Sequence, residues 1–235
     1  HMKIKPFKLH SWDVTPREAI AIQEKLRARI KLCDTCRTIN VVAGADVSFD
    51  DDWGYGGVIS YTFPALEEIE RCSVRMKLTF PYIPGLLAFR ESPVLLAAIA
   101  LLSTEPDLLL FDGQGIAHGR RMGIATHMGI LLNKPTIGCA KSRLVGTFEE
   151  PGADRGCYEH LVHGGETVGA VLRTRKQVRP IFVSPGTGIS LNTSINIVMR
   201  CLDGYRIPKP TREADHYVGS IKRKPRAPAV DQRKK

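Results

Sequence analysis

Four acidic residues interrupt short apolar or glycine-rich stretches that lie far apart along the chain. They are Asp46, Glu91, Asp112 and Asp215. A carboxylate in a dry core stays ionised only if a nearby group compensates its charge. When several carboxylates converge, a divalent cation such as Mg²⁺ is the usual compensator, because it prefers oxygen ligands. The chain is therefore expected to fold so that these side chains meet around metal.

The chain is also basic, with a formal net charge of +10 at pH 7. Residues 221–235 hold seven Lys or Arg and one Asp, so more than half of this surplus lies in the tail. A basic surplus favours a polyanionic partner such as nucleic acid, although the tail can also be read as a solvated, disordered end. Converging carboxylates in a basic protein indicate metal-assisted hydrolysis of a phosphodiester, which is the chemistry of a nuclease.

Composition and length predict one large domain over residues 1–220, followed by a basic tail at 221–235. The chain has 235 residues, of which 43% are hydrophobic, enough for a substantial core. No stretch approaches the ~20 apolar residues of a membrane span, and the start lacks a signal-peptide core. We therefore expect a cytoplasmic monomer without a membrane partner.

The six cysteines are scattered and do not resemble a secreted disulfide framework. Cys33 and Cys36 have the spacing of half a zinc site, and Cys157, His160 and His163 are candidates for the other half. The pair is also compatible with a disulfide and, more readily, with ordinary reduced thiols. The sequence leaves these three alternatives open.

Local patterns predict a mixed α/β fold. Thr15, Pro16 and Glu18 form a capping box that begins a helix. Further helices are predicted from about Gly85 to Leu102, over Arg120–Leu132 and over Ile189–Leu202, with a short amphipathic segment near Thr211–Ser220. Predicted strands are Val41–Phe49, Gly57–Phe63, Glu68–Leu78, Leu108–Phe111, Thr136–Cys139, Val168–Arg173 and Ile181–Val183.

Three antiparallel strands followed by parallel strands, in a mixed central sheet flanked by helices, match the layout of a ribonuclease H-like fold. Asp46 then lies on the first strand, and Asp112 lies at the carboxyl end of a parallel strand, where open α/β sheets bind ligands. Glu91 is near a helix start, and Asp215 is on a C-terminal element that can close over the site.

Several ordered segments of the chain resemble the signature segments of the endonuclease V family. The resemblance extends from about residue 15 to about residue 220, which is nearly the whole chain. The segments are Ala43–Phe49, Pro81–Glu91, Phe111-Asp-Gly-Gln-Gly-Ile-Ala-His118, Ile137–Leu144 and Pro210–Asp215.

The resemblance implies an endonuclease that acts on nucleic acid containing deaminated adenine (inosine), with DNA as the leading substrate and RNA as the second. It implies hydrolysis of the second phosphodiester on the 3′ side of the lesion, leaving 3′-hydroxyl and 5′-phosphate ends. Asp46 and Asp112 would be the principal ligands of Mg²⁺, for which Mn²⁺ can substitute, and Glu91 and Asp215 would complete the shell. By the same resemblance, His118 would lie next to the metals and Lys141 near the scissile phosphate or the attacking water.

The segment Pro81-Tyr82-Ile83-Pro84 is predicted to be a rigid wedge, because two prolines fix the backbone on either side of an aromatic and an aliphatic residue. Such a wedge can fill the gap left by a displaced base. By resemblance, the flipped base would enter a pocket lined by small residues and backbone. Its walls would be Gly85, Leu87, Gly113, Ile124, Gly138 and Leu144.

The chain departs from the family pattern at Gln114, where bacterial members commonly carry His, and at Gly119, which replaces a frequent Pro. These departures leave the expected ligands intact, but the shape of the loop near the lesion and the preference between DNA and RNA do not follow from the resemblance. Two other functions compete with the leading one. The first is a structure-selective nuclease, like the C-terminal nuclease of the excinuclease C subunit, and the second is a catalytically silent nucleic-acid-binding module.

Overall fold

The computed structural model describes residues 5–50 and 52–223. They form five helices and eight strands, in the order α1-β1-β2-β3-α2-β4-α3-β5-β6-β7-β8-α4-α5. The helices are α1 (Pro16–Arg27), α2 (Leu87–Ile99), α3 (Ile124–Leu132), α4 (Leu191–Arg200) and α5 (Lys209–Arg223). The strands are β1 (Val41–Asp50), β2 (Trp53–Thr62), β3 (Glu68–Lys77), β4 (Leu108–Phe111), β5 (Thr136–Ala140), β6 (Tyr158–His163), β7 (Glu166–Leu172) and β8 (Ile181–Pro185).

All eight strands belong to one mixed sheet, in the order β3-β2-β1-β4-β5-β8-β7-β6. The first three strands form an antiparallel meander, and β1, β4 and β5 run parallel to one another. Strand β1 pairs with β4 only from Val42 to Ala45, whereas its pairing with β2 continues to Asp50. Strands β1, β2 and β3 therefore project beyond the carboxyl end of β4.

Side-chain alternation along the central strands divides the core into two layers. One layer joins Val42, Leu108 and Leu110 to α4, and the other joins Ala43, Leu109 and Phe111 to α2 and α3. Helix α5 covers the first face. A Cβ added to Gly44 would lie 2.0 Å from the carbonyl oxygen of Pro210, so only glycine allows α5 to approach β1 this closely.

Several elements match their predicted bounds, because local sequence determines them. The side chain of Thr15 accepts from the backbone N–H of Glu18, and the Glu18 carboxylate accepts from the backbone N–H of Thr15, so the capping box is present. The apolar run Leu108–Phe111 is strand β4, and all four of its residues are buried. Each of these segments carries its own start or burial signal.

The far half of the sheet differs from the prediction. Strand β6 was not predicted, and its first three residues are exposed at the sheet edge. Strand β8 pairs antiparallel with β5, and β7 and β6 continue the antiparallel pairing, so the parallel part of the sheet ends at β5. An exposed edge strand lacks the regular burial pattern on which a strand assignment rests.

Some element bounds also differ. Helix α3 begins at Ile124 instead of Arg120, because Arg121 has a φ of 63° and Gly123 is extended. Strand β2 begins at Trp53, which pairs with Asp50 across a short turn. Helix α5 continues to Arg223, and the rest of the basic tail lies outside the described residues.

All six cysteines are free thiols, so Cys33 and Cys36 are not joined in a disulfide. Among the described residues, neither Cys33 nor Cys36 belongs to a group of three or more His, Cys, Asp or Glu side chains close enough to hold a metal ion. Within that part of the chain, the helices are too short or too polar to cross a membrane.

Candidate functional site

Three of the four predicted carboxylates meet at the carboxyl end of β4. One carboxylate oxygen from each of Asp46, Asp112 and Asp215 lies within 4.8 Å of the other two. Asp46 and Asp112 point to the same face of the sheet, because each lies one residue past a β1–β4 pair, Ala45 with Phe111. Helix α5 covers this face and brings Asp215 to it.

Lys141, directly after β5, carries the positive charge of the cluster. Its Nζ lies 2.6 Å from Oδ2 of Asp112 and 3.0 Å from Oδ2 of Asp215. Burial alone would lower the pKa of Lys141, but the hydrogen bonds to Asp112 and Asp215 raise that pKa above its usual range. Lys141 is therefore a permanent cation that bridges two potential metal ligands.

The fourth carboxylate, Glu91, is only partly accessible and lies on α2, on the opposite side of the sheet from α5. Burial, with a further contribution from the negative charge of Asp46, raises the pKa of Glu91 to about 8. Burial and the charge of Asp112 raise the pKa of Asp46 to about 7. Burial, together with the neighbouring carboxylates, therefore makes the ionised forms of Asp46 and Glu91 costly unless a further cation compensates them.

A cavity of about 410 Å³ opens beside these carboxylates, and its wall includes Glu91, Asp112 and Lys141. Five of the six predicted pocket residues line it: Gly85, Leu87, Gly113, Ile124 and Leu144. Gly138 does not line the cavity. It lies beneath the loop that follows β4, where an added Cβ would meet the backbone nitrogen of Gly115 at 2.4 Å.

The predicted wedge segment forms part of the cavity rim. The side chain of Tyr82 is 66% exposed, and both Tyr82 and Pro84 line the cavity. The prediction that Ile83 projects with Tyr82 was wrong, because Ile83 is partly buried and packs against the apolar cluster formed by Ala19, Phe80, Leu86 and Phe89. Pro81 is exposed. Tyr82 is thus the one large side chain that this loop presents to the cavity and to solvent.

His118 also lines the cavity, but its contacts are with backbone. Its Nε2 lies 3.1 Å from the carbonyl oxygen of Gly85, and its Nδ1 accepts a hydrogen bond from the backbone N–H of Arg120. Burial, reinforced by the positive charge of Arg120, lowers the pKa of His118 to about 4. His118 is therefore neutral at physiological pH, with both ring nitrogens engaged.

Gln114, a departure from the family pattern, is buried in the cavity wall. Its Nε2 donates to the carbonyl oxygen of Ser142 at 3.0 Å, which ties the loop after β4 to the loop after β5. Gly119 is exposed, and an added Cβ would meet nothing within 4 Å. Gln114 therefore forms part of the cavity wall, whereas a side chain at position 119 would have room in the structure.

Two residues that sequence analysis missed, Gln23 and Arg120, hold the loop that ends at Gly85. Gln23 reads as an ordinary polar position on an amphipathic helix, and Arg120 reads as a surface cation near a glycine. The contacts span 62 and 35 residues of sequence, so no local pattern signals them.

The site as a whole combines three features of a metal-dependent hydrolase. Oxygen ligands of three carboxylates are close enough to share a divalent cation. The pKa values of Asp46 and Glu91 are raised first by burial and then by neighbouring carboxylates, and a bound divalent cation would lower both. The adjacent cavity, part apolar and part backbone, has a volume typical of a small-ligand pocket.

Comparison with known proteins identifies the fold and the family. The model of the family described as Endonuclease V matches residues 24–216. The endonuclease V of the archaeon Methanothrix thermoacetophila is 48% identical over 92% of this chain and 95% of its own. The crystal structure of endonuclease V from Bacillus subtilis has a TM-score of 0.88 and 37% identity, and covers 93% of this chain and 97% of its own.

A further solved structure is that of endonuclease V from Ciona intestinalis in complex with a 24mer DNA that contains an inosine followed by a ribo-adenosine. It has a TM-score of 0.78 and 28% identity, and covers 87% of this chain and 96% of its own. Endonuclease V structures have the ribonuclease H-like fold, which confirms the fold expected from the sequence. With matches over nearly the whole length of both partners, the chain belongs to the endonuclease V family and is an endonuclease.

Proposed function

We propose that this endonuclease recognises deaminated adenine in DNA and hydrolyses the second phosphodiester on the 3′ side of the lesion, leaving 3′-hydroxyl and 5′-phosphate ends. The observation that carries the proposal is the shared wall between the cavity and the carboxylate cluster, formed by Asp112, Glu91 and Lys141. A base held in the cavity thereby brings its own strand to the cluster. The inosine-containing DNA bound by the Ciona relative supports this choice of substrate.

The carboxylates of Asp46, Asp112 and Asp215 would hold Mg²⁺, with Mn²⁺ as a substitute, and Glu91 would act on the same site from the α2 side. When bound, the ion would supply a water of lowered pKa and charge stabilisation for the leaving oxygen. Asp46 and Asp112 are anchored by the sheet and orient the site, while Asp215 is presented by α5.

Lys141 would stabilise the charge that develops on the scissile phosphate. Its side chain is 45% exposed and lies at the mouth between Asp112 and Asp215, so a phosphate that enters the site meets its ammonium group. A fixed cation at the place where negative charge grows lowers the barrier more than it stabilises the ground state. Lys141 therefore has two partners in succession, first the carboxylates and then the phosphate.

Base recognition would rest on the close approach of backbone to the extruded base. The cavity wall includes Gly85, Gly113 and Gly123, which leave main-chain groups uncovered by side chains. Main-chain N–H groups can donate to O6 of hypoxanthine, whereas the amino group of adenine would place donor against donor. Tyr82 at the rim would fill the gap that the base leaves in the stack.

The test is cleavage of matched substrates in Mg²⁺, with the cut mapped on labelled strands. The substrates are DNA duplexes with and without one inosine, the same inosine in single-stranded DNA and in RNA, and an undamaged branched duplex. We expect cutting of the inosine-containing DNA at the second 3′ phosphodiester, and no cutting by Asp112→Asn. Cutting of the branched duplex regardless of inosine would instead indicate the structure-selective nuclease. Binding without any cutting would indicate the silent module.

A further inference from the structure

Gln23 on α1 is fully buried, and its amide makes three hydrogen bonds to cavity loops. Its Nε2 donates to the carbonyl oxygens of Gly85 at 3.1 Å and Met122 at 3.3 Å, and its Oε1 accepts from Nε of Arg120 at 2.6 Å. Because carbonyl oxygens only accept and a guanidinium only donates, these partners determine which amide atom faces which loop.

The Gly85 carbonyl is the centre of this cluster. It accepts from Nε2 of Gln23, from Nη2 of Arg120 at 2.8 Å and from Nε2 of His118 at 3.1 Å. Since Nδ1 of His118 accepts from the backbone N–H of Arg120, the ring hydrogen lies on Nε2 and points at Gly85. Gly85 has a φ of 79°, which other residues adopt only under strain. We call Gln23, Gly85, His118 and Arg120 the Gly85 cluster.

The Gly85 cluster joins two walls of the cavity. Gly85 ends the loop that carries Tyr82, and His118, like Met122, lines the wall that follows β4. Helix α1 packs on α3, and none of its described residues lines the cavity. The Gln23 amide is nonetheless the group that bonds to both walls at once.

We propose that Gln23 is a positioning residue for extrusion of the lesion base. Through the Gly85 carbonyl, Gln23 and Arg120 hold Tyr82 at a fixed distance from the cavity that receives the base. His118 serves in the same cluster as a donor to Gly85, since both of its ring nitrogens are already engaged and neither is left to bind a metal ion. This inference rests on the proposed function, because it concerns how the inosine reaches the cavity.

Two substitutions of Gln23 separate its contacts. Gln23→Leu removes all three hydrogen bonds of the amide at similar volume, while the Gly85 carbonyl keeps Arg120 and His118 as donors. Gln23→Glu retains the acceptor for Arg120 but places a carboxylate oxygen against the carbonyls of Gly85 and Met122. Leu26→Ala is the matched control, because Leu26 is buried in the same helix and packs on Met122 and Ile130 without a bond to Gly85.

The first measurement is the fluorescence of an aminopurine base placed beside inosine in a duplex, recorded without metal so that extrusion is followed apart from cleavage. We expect the extruded fraction to fall about tenfold in Gln23→Leu and in Gln23→Glu, as for loss of a buried hydrogen-bond network. Leu26→Ala should lower the melting temperature and leave the extruded fraction close to that of the parent protein.

The second measurement is the single-turnover cleavage rate on paired and on single-stranded inosine. We expect the two Gln23 variants to lose at least about fivefold more on the paired substrate, where stacking resists extrusion. An equal loss on both substrates, or an unchanged aminopurine signal, would overturn the positioning role. If Gln23→Leu does not fold, Gln23→Glu decides alone. If the parent protein shows no preference for inosine, the proposed function itself is contradicted. That result differs from those that contradict only the positioning role of Gln23.

Discussion

The ammonium group of Lys141 lies 2.6 Å from Oδ2 of Asp112, one of the three carboxylates that can hold a metal ion. The same group lies 3.0 Å from Asp215. A positive charge inside a ligand set competes with a divalent cation for the same oxygens. We therefore expect a bound metal ion to displace Lys141 from Asp112 and Asp215 and to free its ammonium group for the substrate.

Replacing Lys141 by Met should lower the stability of the metal-free protein, because the carboxylates lose their compensating cation. The same change should tighten binding of Mn²⁺ by about tenfold, since a competing charge has been removed. Calorimetric titration with Mn²⁺ and melting with and without the ion measure both effects. Lys141→Arg keeps the charge and is the control, and weaker Mn²⁺ binding by Lys141→Met would contradict the competition.

Asp46 and Asp112 should differ in their effect on stability, although each is needed for cleavage. Either change to Asn should reduce the cleavage rate by at least about a hundredfold while inosine binding persists. Asp46→Asn should raise the melting temperature of the metal-free protein, because it removes a partly buried carboxylate whose pKa is raised. Asp112→Asn should not, because it removes a partner of Lys141. Equal shifts in melting temperature would argue against this division.

The stability of the metal-free protein should fall as pH rises from about 7 to about 9. The folded-state pKa of Glu91 is about 8, above its unfolded value, so the folded state binds the extra proton and loses that advantage as the pH passes through 8. Above pH 7, His10, His118 and His127, whose pKa values are lowered, are neutral in both states. Melting temperatures of the parent and of Glu91→Gln across this range give the contribution of Glu91, and parallel curves would exclude it.

Tyr82→Ala should affect paired substrates most. The exposed ring is expected to stabilise the extruded state and to take no part in hydrolysis. Stacking of an aromatic residue on a base contributes about 1–3 kcal/mol, so the single-turnover rate on an inosine duplex should fall roughly tenfold to a hundredfold. Inosine in a single strand should be cut at nearly the parent rate, with Tyr82→Phe as the control on both. A similar fall on both substrates would mean that Tyr82 is not a wedge.

Deletion of residues 224–235 should weaken binding to inosine-containing and plain duplexes about equally. The deleted residues include five of the seven Lys or Arg counted from 221 onward, and phosphate contacts by such residues are not specific for sequence. The slope of log affinity against log salt should become less steep. An unchanged slope would make the tail a solvated end without a role in binding.

The convergence of Asp46, Asp112 and Asp215 was predictable from sequence, because each carboxylate lies in a distinctive local setting. Asp112, for example, follows the buried run Leu108–Phe111, and the end of such a strand is determined locally. The inward turn of Ile83 was not predictable, since Tyr82 and Ile83 occupy equivalent places between two prolines. Only the packing of Ile83 against the cluster of Ala19, Phe80, Leu86 and Phe89, which belongs to the tertiary structure, distinguishes the two residues.

Long-range polar contacts account for most of the features that the sequence did not predict. The position of Gln23 on α1 predicts a half-buried polar residue, and nothing near it in sequence indicates Gly85 or Arg120 as partners. The edge strand β6 was missed for a related reason, because its pairing with β7 and not its own pattern makes it a strand. Local signals thus specify which residues bear chemistry, whereas tertiary contacts specify how they are held.

The register between β1 and β4 has a consequence for how this enzyme can vary. Pairing ends at Ala45 and Phe111, so the sheet forks there, and the carboxylates of Asp46 and Asp112 stand at the base of the fork. The loops that shape the cavity branch off beyond this point. We therefore expect a change in the length or sequence of those loops to alter which base fits the cavity, without shifting the strand pairs that align Asp46 and Asp112. The residues proposed for cutting and those proposed for recognition would then vary independently, although they lie side by side in the fold.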